Sequence, residues 1–354
     1  MQASDFRLHE SIEFRPAEGL TVVRGPNGAG KTSLLEAVGY LASLSSFRGA
    51  AAADLVRAGA PAAIIRGEFS TGGRRLLVEA SVPVAGRARV QVNRQPLHRA
   101  ADLCEKLPVL VFQPDDLMIV KGPPAARRDA VDDAVVTLRP RVGEQRRRLT
   151  TCLRQRNALL RQAGAAKADD ATRRSLDVWD DRLGEAADAW AGHRRWVIGE
   201  LQPRMERFFG RLTGAAAAPV EMSYEPRWLE RGLAAALAES REEDLRRGVT
   251  TVGPHRDDIE WRVGPLAART HASQGNQRSL ALAYRLALHE ALSAAGEPLL
   301  LLDDVFSELD AARTERLLEL LPAGQTVLAT AGDIPPAARP ALVVSVSELP
   351  AAGT

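Results

Sequence analysis

The segment Gly25-Pro26-Asn27-Gly28-Ala29-Gly30-Lys31-Thr32 constrains this chain more than any other feature. It satisfies the spacing G-x4-G-K-[S/T] and lies between a strand pattern at 20–24 and a helix pattern running from Ser33 to about Leu44. In that context glycines let backbone N–H groups wrap phosphate oxygens, and the following helix adds its positive dipole end. The residues from Gly25 to Ser33 are therefore predicted to hold ATP, with Lys31 on the β- and γ-phosphates and the Thr32 hydroxyl on Mg²⁺. A fortuitous glycine turn is the competing reading, and the flanking strand and helix speak against it. Of 47 basic residues only Lys31, Lys106, Lys121 and Lys167 are lysines, so a chain that otherwise uses arginine keeps a lysine inside this loop.

A second feature has matching chemistry. Pro298–Leu302 is an apolar run that ends in Asp303 and Asp304, as expected for a buried parallel strand with carboxylates at its carboxyl end. Asp303 is predicted to hold Mg²⁺ and Asp304 to orient or deprotonate the attacking water; a helix-capping Asp pair is the alternative. Gln113 follows the strand pattern at 109–112, where an ordinary strand-end glutamine is one reading. Ser273 stands at the cap position of a helix expected from Asn276 to about Ala295. Taken in order, with Ser307-Glu308-Leu309-Asp310 after Asp304, these pieces resemble the ABC ATPase set: Walker A, Q-loop, helical insertion, signature serine, Walker B and D-loop. That resemblance implies that Gln113 is the Q-loop glutamine that senses Mg²⁺ and the γ-phosphate. It also implies a homodimer closed by ATP, with Ser273 of one copy acting in trans on the γ-phosphate bound to the other. The strand at 325–330 ends on Thr330 where many such ATPases place a histidine, which implies modest hydrolysis.

At 354 residues the chain is expected to form two lobes. Segments 63–69, 76–84 and 88–93 alternate apolar and polar residues and predict an antiparallel sheet. From 125 to 212 the pattern is helical, with Leu176, Leu183, Trp190 and Val197 spaced by seven, and 141–162 is the expected partner helix. Pro140 should end or kink the helix before it. Such helices reach about 30 to 40 Å at about 1.5 Å per residue. The predicted architecture is α/β: an ABC/SMC-type P-loop ATPase lobe with mixed and antiparallel sheets at 1–120 and 246–354, and an inserted α-helical lobe at 121–245. No apolar run approaches the roughly 20 residues of a membrane span, and no secretory signal is visible, so the expectation is a cytoplasmic protein. Cys104 and Cys152 are too few for a disulfide framework or a zinc site. A net charge of +2 makes no global case for nucleic acid.

Several stretches resemble the RecF family: Ser46-Phe47-Arg48, Pro114–Leu117, Lys121–Arg128, Gln155–Leu160, Thr251–Asp258 and Ser273–Arg278. Gly253-Pro254-His255-Arg256-Asp257-Asp258 is the most diagnostic, although the resemblance gives His255 and Arg256 no chemical role. Membership implies ATP-dependent binding of double-stranded DNA near gaps or junctions, slow DNA-stimulated ATP hydrolysis, and help in loading RecA together with RecO and RecR. The sequence adds a local feature: residues 139–161 hold eight arginines against Glu144 alone. Arg146 and Arg147 in this run, with Arg48, Arg127 and Arg128, are candidate phosphate contacts. A solvated face paired to nearby aspartates is the alternative for the run. Two departures from the family stand out: the amino terminus is expected to lack most of an opening strand, at a cost to the stability of the lobe edge and not to chemistry, and Ser33 and Asn276 replace other polar residues, with nucleotide binding expected to survive. A transporter ATPase would need an LSGGQ-like signature, which the sequence lacks, and an SMC-like tether would need a longer helical arm.

Overall fold

The computed structural model describes residues 1–167, 169–214, 218–294 and 296–351. The chain divides into two compact units, Met1–Asp116 with Arg207–Ala217 and Gln274–Thr354, and Leu117–Glu206 with Ala218–Ser273. The first unit opens with β1 (Gln2–Phe6), β2 (His9–Glu13), β3 (Leu20–Arg24), α1 (Lys31–Ser43), β4 (Ala62–Thr71), β5 (Arg74–Pro83), β6 (Arg89–Val92), β7 (Gln95–Pro96), α2 (Ala100–Cys104) and β8 (Val109–Phe112). The second supplies α3 (Leu117–Lys121), α4 (Pro124–Leu138), α5 (Gly143–Lys167), most of α6 (Asp170–Thr213), β9 (Val220–Ser223), α7 (Leu233–Arg247), β10 (Glu260–Val263), β11 (Leu266–Ala267) and α8 (Ala268–His271). The first is completed by α9 (Gln274–Ser293), β12 (Leu299–Asp303), α10 (Ala311–Leu320), β13 (Thr326–Thr330) and β14 (Leu342–Ser345). Ala295, the expected end of α9, lies outside the described residues.

In the first unit β14, β3, β13, β12 and β8 form a parallel sheet in that order. Its strands are short β-branched and leucine runs, and the inner strands β13 and β12 are buried on both faces, as a covered parallel sheet requires, while the edge strands β14 and β8 are only partly buried. A six-stranded antiparallel sheet, ordered β2-β1-β4-β5-β6-β7, lies in the same unit. The hairpin β4–β5 pairs ten residue couples from Ala62–Pro83 to Thr71–Arg74 around Gly72-Gly73, and β4 alternates buried Ala63, Ile65 and Gly67 with exposed Ile64, Arg66 and Glu68. Leu34, Leu35, Val38 and Leu41 of α1 share one core with Ile65 and Val78 of the antiparallel sheet and with Val23, Leu301 and Val327 of the parallel sheet. The opening strand expected to be mostly missing is present: β1 pairs with both β2 and β4.

In the second unit α5 runs antiparallel to α6. The cross-helix pairs Gln145–His193, Arg148–Glu185 and Arg156–Asp180 descend in register, and Leu160 and Leu176 meet in one apolar cluster with Leu245 of α7. The expected stripe is buried throughout at Leu176, Leu183, Trp190 and Val197. As Pro140 predicts, α4 ends at Leu138. Two expectations change. Helix α6 is 44 residues long, or about 66 Å at 1.5 Å per residue, well beyond the expected reach. Residues 246–273 belong with the helical unit because β10 pairs with β9 and β11, forming a separate three-stranded sheet. Among the described residues no helix is long and apolar enough to cross a membrane.

Candidate nucleotide-binding site

A parallel sheet delivers all its strand ends to one edge, and the chemistry-bearing residues of the first unit follow from that. Strand β3 runs directly into the glycine loop, β12 ends on Asp303, β13 ends on Thr330, and Gln113 follows β8. Register places Ala329 opposite both Val23 and Asp303, and Leu302 opposite Phe112, so Asp303 and Gln113 emerge on adjacent strands. Gly28 and Gly30 take φ of 81° and 96°, a region open to glycine at little cost. At Gly30 a Cβ would also sit 2.6 Å from Cε1 of His9, and His9 Nε2 is 3.1 Å from the Gly30 carbonyl oxygen. At Gly30 the loop therefore has no room for a side chain, whereas Gly28 faces open space.

Lys31 and Asp303 are each only 7% exposed. The Lys31 ammonium donates to the carbonyls of Gly25 and Pro26 at 2.8 and 3.0 Å, folding back along the loop it belongs to. The Thr32 hydroxyl donates to Asp303 at 2.8 Å, across 271 residues of sequence. Burial pushes the Asp303 carboxyl above the usual carboxylate range and the adjacent Asp304 charge adds to this, opposed by the Thr32 hydroxyl, Arg48 and Lys31. A bound cation would relieve both causes. The hydroxyl, carboxylate and amide oxygens brought to this edge are hard donors of the kind Mg²⁺ accepts, and Mg²⁺ typically takes one or two carboxylates plus phosphate oxygens. Asp304 adopts the left-handed conformation at φ 48°, its N–H donating to Ala329 O at 2.9 Å.

Gln113 is held from both sides. Its N–H donates to Asp116 Oδ2 at 3.1 Å and its side-chain amide to Phe47 O at 3.3 Å, while Asp116 is clamped by both sides of the Arg285 guanidinium from α9. The Phe47 loop is anchored in turn. Fully buried Glu36 of α1 accepts from Arg7 at 2.7 and 2.8 Å and from Ser46 at 2.5 Å, and Ser46 Oγ accepts the N–H of Arg48 at 3.1 Å. Sequence reasoning missed this support. A signal existed, since Glu36 is a lone acid in the apolar run Leu34–Val38, and a buried charge demands a partner. Arg48 thus lies close enough to Asp303 for its charge to favour the ionised carboxylate. Asp310 caps α10 through Arg313 N at 2.8 Å, and the side chain of Glu308 lies outside what is described. Ser273, exposed, directly precedes α9.

The arginines expected at DNA divide sharply. Arg127 is buried, with its guanidinium on Asp258 at 2.7 and 2.8 Å and on Gly122 O at 3.0 Å, the position of an internal brace and not of an exposed phosphate contact. Arg156, from the arginine-rich run, is fully buried between Asp180 and Asp244. Arg128 donates to Asp257 O at 2.6 Å. Arg146 and Arg147 pair with Asp133 and Glu144, carboxylates that are 64% and 76% exposed.

A phosphate loop and a Walker B carboxylate at the carboxyl edge of a parallel sheet, with an antiparallel sheet beside them and a helical unit inserted in the sequence, define an ATPase of the ABC/SMC type. Residues 1–328 match the RecF/RecN/SMC N-terminal domain family. The chain is 41% identical over 344 residues to the DNA replication and repair protein RecF of Acidothermus cellulolyticus, covering 93% of this chain and 92% of that protein. It is 39% identical over 351 residues to RecF of Streptomyces avermitilis, covering 95% and 94%. The chain belongs to the RecF family. Among solved structures it resembles the recombination mediator protein RecF of the RecFOR pathway, solved as RecF-ATPrS, with a TM-score of 0.87 and 25% identity over 97% of this chain and 94% of that one. It shares its fold with the Smc head domain from Pyrococcus furiosus bound to the C-terminal domain of ScpA, at a TM-score of 0.53 and 16% identity over 94% and 89%.

Proposed function

We propose that this chain is an ATP-gated DNA clamp of replication and repair. In this reading ATP is bound by Gly25–Ser33, two copies close on it with Ser273 of each reaching the other's γ-phosphate, and the dimer grips duplex DNA near a single-strand gap. From there it helps load RecA with RecR and RecO, as membership of the family suggests. The observation that carries the ATPase half is the Thr32–Asp303 hydrogen bond beside Lys31, which assembles the Walker A and Walker B elements at one sheet edge. Thr32, Asp303 and Gln113 would hold Mg²⁺, which when bound neutralises charge building up on the transferred phosphoryl group. Lys31 exchanges its two carbonyl partners for phosphate oxygens. Asp304 orients the attacking water, and Gln113, fixed by Asp116 and Phe47, reports the state of the site to the loop carrying Arg48.

For DNA, Arg146 and Arg147 of α5 are the better contacts of the original set. Exposed ion pairs such as theirs are worth about 0–1 kcal/mol, so phosphates can displace the carboxylates at little cost. Burial and pairing withdraw Arg127.

The test is the molar mass of the purified protein with gapped DNA under no nucleotide, ADP and a slowly hydrolysed ATP analogue. A dimer on DNA with the analogue alone supports the clamp; a monomer in all three conditions removes it. An Asp304→Asn protein should bind ATP and hold DNA longer than the unaltered chain, and faster release would defeat the proposal that hydrolysis opens the clamp.

A further inference from the structure

The turn Gly253–Asp258 takes no part in the nucleotide site, yet it is braced more heavily than any catalytic residue. Arg156 of α5 donates to Thr250 Oγ1 at 2.9 Å, and Arg194 of α6 to Pro254 O at 2.9 Å. From α4, Arg128 donates to Asp257 O at 2.6 Å and Arg127 grips the Asp258 carboxylate. Asp257 accepts from Tyr224 Oη at 2.7 Å and Trp228 Nε1 at 2.9 Å, and His255 Nε2 is 3.0 Å from Thr250 O. Three guanidiniums from two helices thus fix one short turn, with Arg156 bracing Thr250 just before it, and a backbone held by such a network forms a preorganised surface.

That surface displays Arg256. Its exposed side chain lines a cleft of about 710 Å³ together with Arg227 and Arg269, beside Trp228 and Trp261, which are 5% and 3% exposed. Among the described residues Arg256 and Arg227 donate to no carboxylate. Of the acids along the same wall, Asp257 and Asp258 are engaged as above and Glu260 pairs with Arg262 at 3.0 Å, leaving Glu225. Clefts of about 300–1,000 Å³ are sized for a compact ligand or a few side chains. Duplex DNA presents a charge about every 1.7 Å and needs an unbroken basic strip, whereas this wall interleaves acids with its arginines.

We propose that the cleft is a docking site for a short acidic segment of a partner protein, whose carboxylates take the guanidinium forks of Arg256 and Arg227 while its apolar side chains rest beside the two indoles. The planar fork matches a carboxylate bidentately, and rigid bracing spares the ordering cost of binding. This inference stands apart from the nucleotide reading and uses none of its residues.

The experiment measures fluorescence anisotropy of a fluorescein-labelled octapeptide alternating Asp and Phe with the full chain, beside a peptide carrying Lys in place of Asp. The Asp peptide should bind and the Lys peptide should not. Arg256→Ala and Arg227→Ala should each weaken binding about tenfold, the effect of losing one charge-assisted pair, with ATP-analogue affinity unchanged. An Arg256→Glu protein should shift preference toward the Lys peptide, an outcome that misfolding cannot produce. Absence of Asp-peptide binding, or binding indifferent to both alanine variants, overturns the proposal. So does displacement of the peptide by a 12-base-pair duplex whose own affinity falls with Arg256→Ala, which would make the cleft a nucleic-acid surface.

Discussion

The nucleotide site of the first unit and the arginine network of the second both bury charge, but they hold it differently. Lys31 is kept by two backbone carbonyls and Asp303 by a single hydroxyl, with a second carboxylate, Asp304, next to it in sequence. Arg156 lies between two buried carboxylates, and Arg194 takes both oxygens of Asp132 at 2.6 and 2.8 Å, with Pro254 O besides. Partners as light as carbonyls and a hydroxyl leave a charge able to change hands when a phosphate arrives. Buried carboxylates paired to a buried guanidinium fix shape, and removing one strands the others. The comparison therefore assigns function to the first set and stability to the second.

The sharpest way to break it is Arg156→Ala, which leaves buried Asp244 without its guanidinium and Asp180 with Arg241 alone. Denaturant titration should show a loss of about 3–5 kcal/mol, and a loss below about 1 kcal/mol would mean the network is not structural. Lys31→Met should do the reverse. Calorimetric ATP affinity should fall about 10- to 100-fold with one charge-assisted contact gone, while nucleotide-free stability moves by less than about 1 kcal/mol. Gly30→Ala tests whether the loop tolerates substitution at all: forcing a Cβ into the left-handed region costs about 1–2 kcal/mol, and thermal melts should register it. Adding His9→Ala should recover the part due to the clash with the imidazole and none of the part due to φ.

The smallest expected effect is a pH dependence shared by both units. Burial lowers the pKa of His289 in the first unit and of His255 in the second. Each folded imidazole takes a proton less readily than its unfolded counterpart, whose pKa is about 6.5. The unfolded chain then binds more protons as pH falls, so stability declines as the pH drops from about 6.5 toward the lowered folded values. His289→Asn should flatten that acid limb, as read from melting temperature against pH; an unchanged slope would place the titration elsewhere.

What the sequence made legible was whatever is encoded locally. The glycine loop, the Asp303–Asp304 strand end, the β4–β5 alternation and the Leu176–Val197 stripe each follow from a period or a spacing within a few residues. Pairing across long separations was illegible. Nothing near Val220–Ser223 announces that β9 will pair with β10 and draw residues 246–273 into the second unit. Nothing near Asp116 announces Arg285, 169 residues away. Arginine composition alone also could not separate Arg127 and Arg156, buried and paired with carboxylates, from Arg146 and Arg147 at the surface, because the sorting depends on which helix faces they occupy and which carboxylates those faces meet.

The strand order of the parallel sheet also sets a timetable for synthesis. Strand β13 lies between β3 and β12, so the glycine loop leaves the ribosome long before its neighbour exists, and Thr32 waits 271 residues for Asp303. At about 5–20 residues per second that interval is on the order of half a minute. During it α1 can pack only on the antiparallel sheet, and β3 has no parallel strand to join. A nascent chain of this kind carries the glycine loop without Asp303, and any message truncated before Thr326–Thr330 yields a product in which β3 has no parallel neighbour on either side.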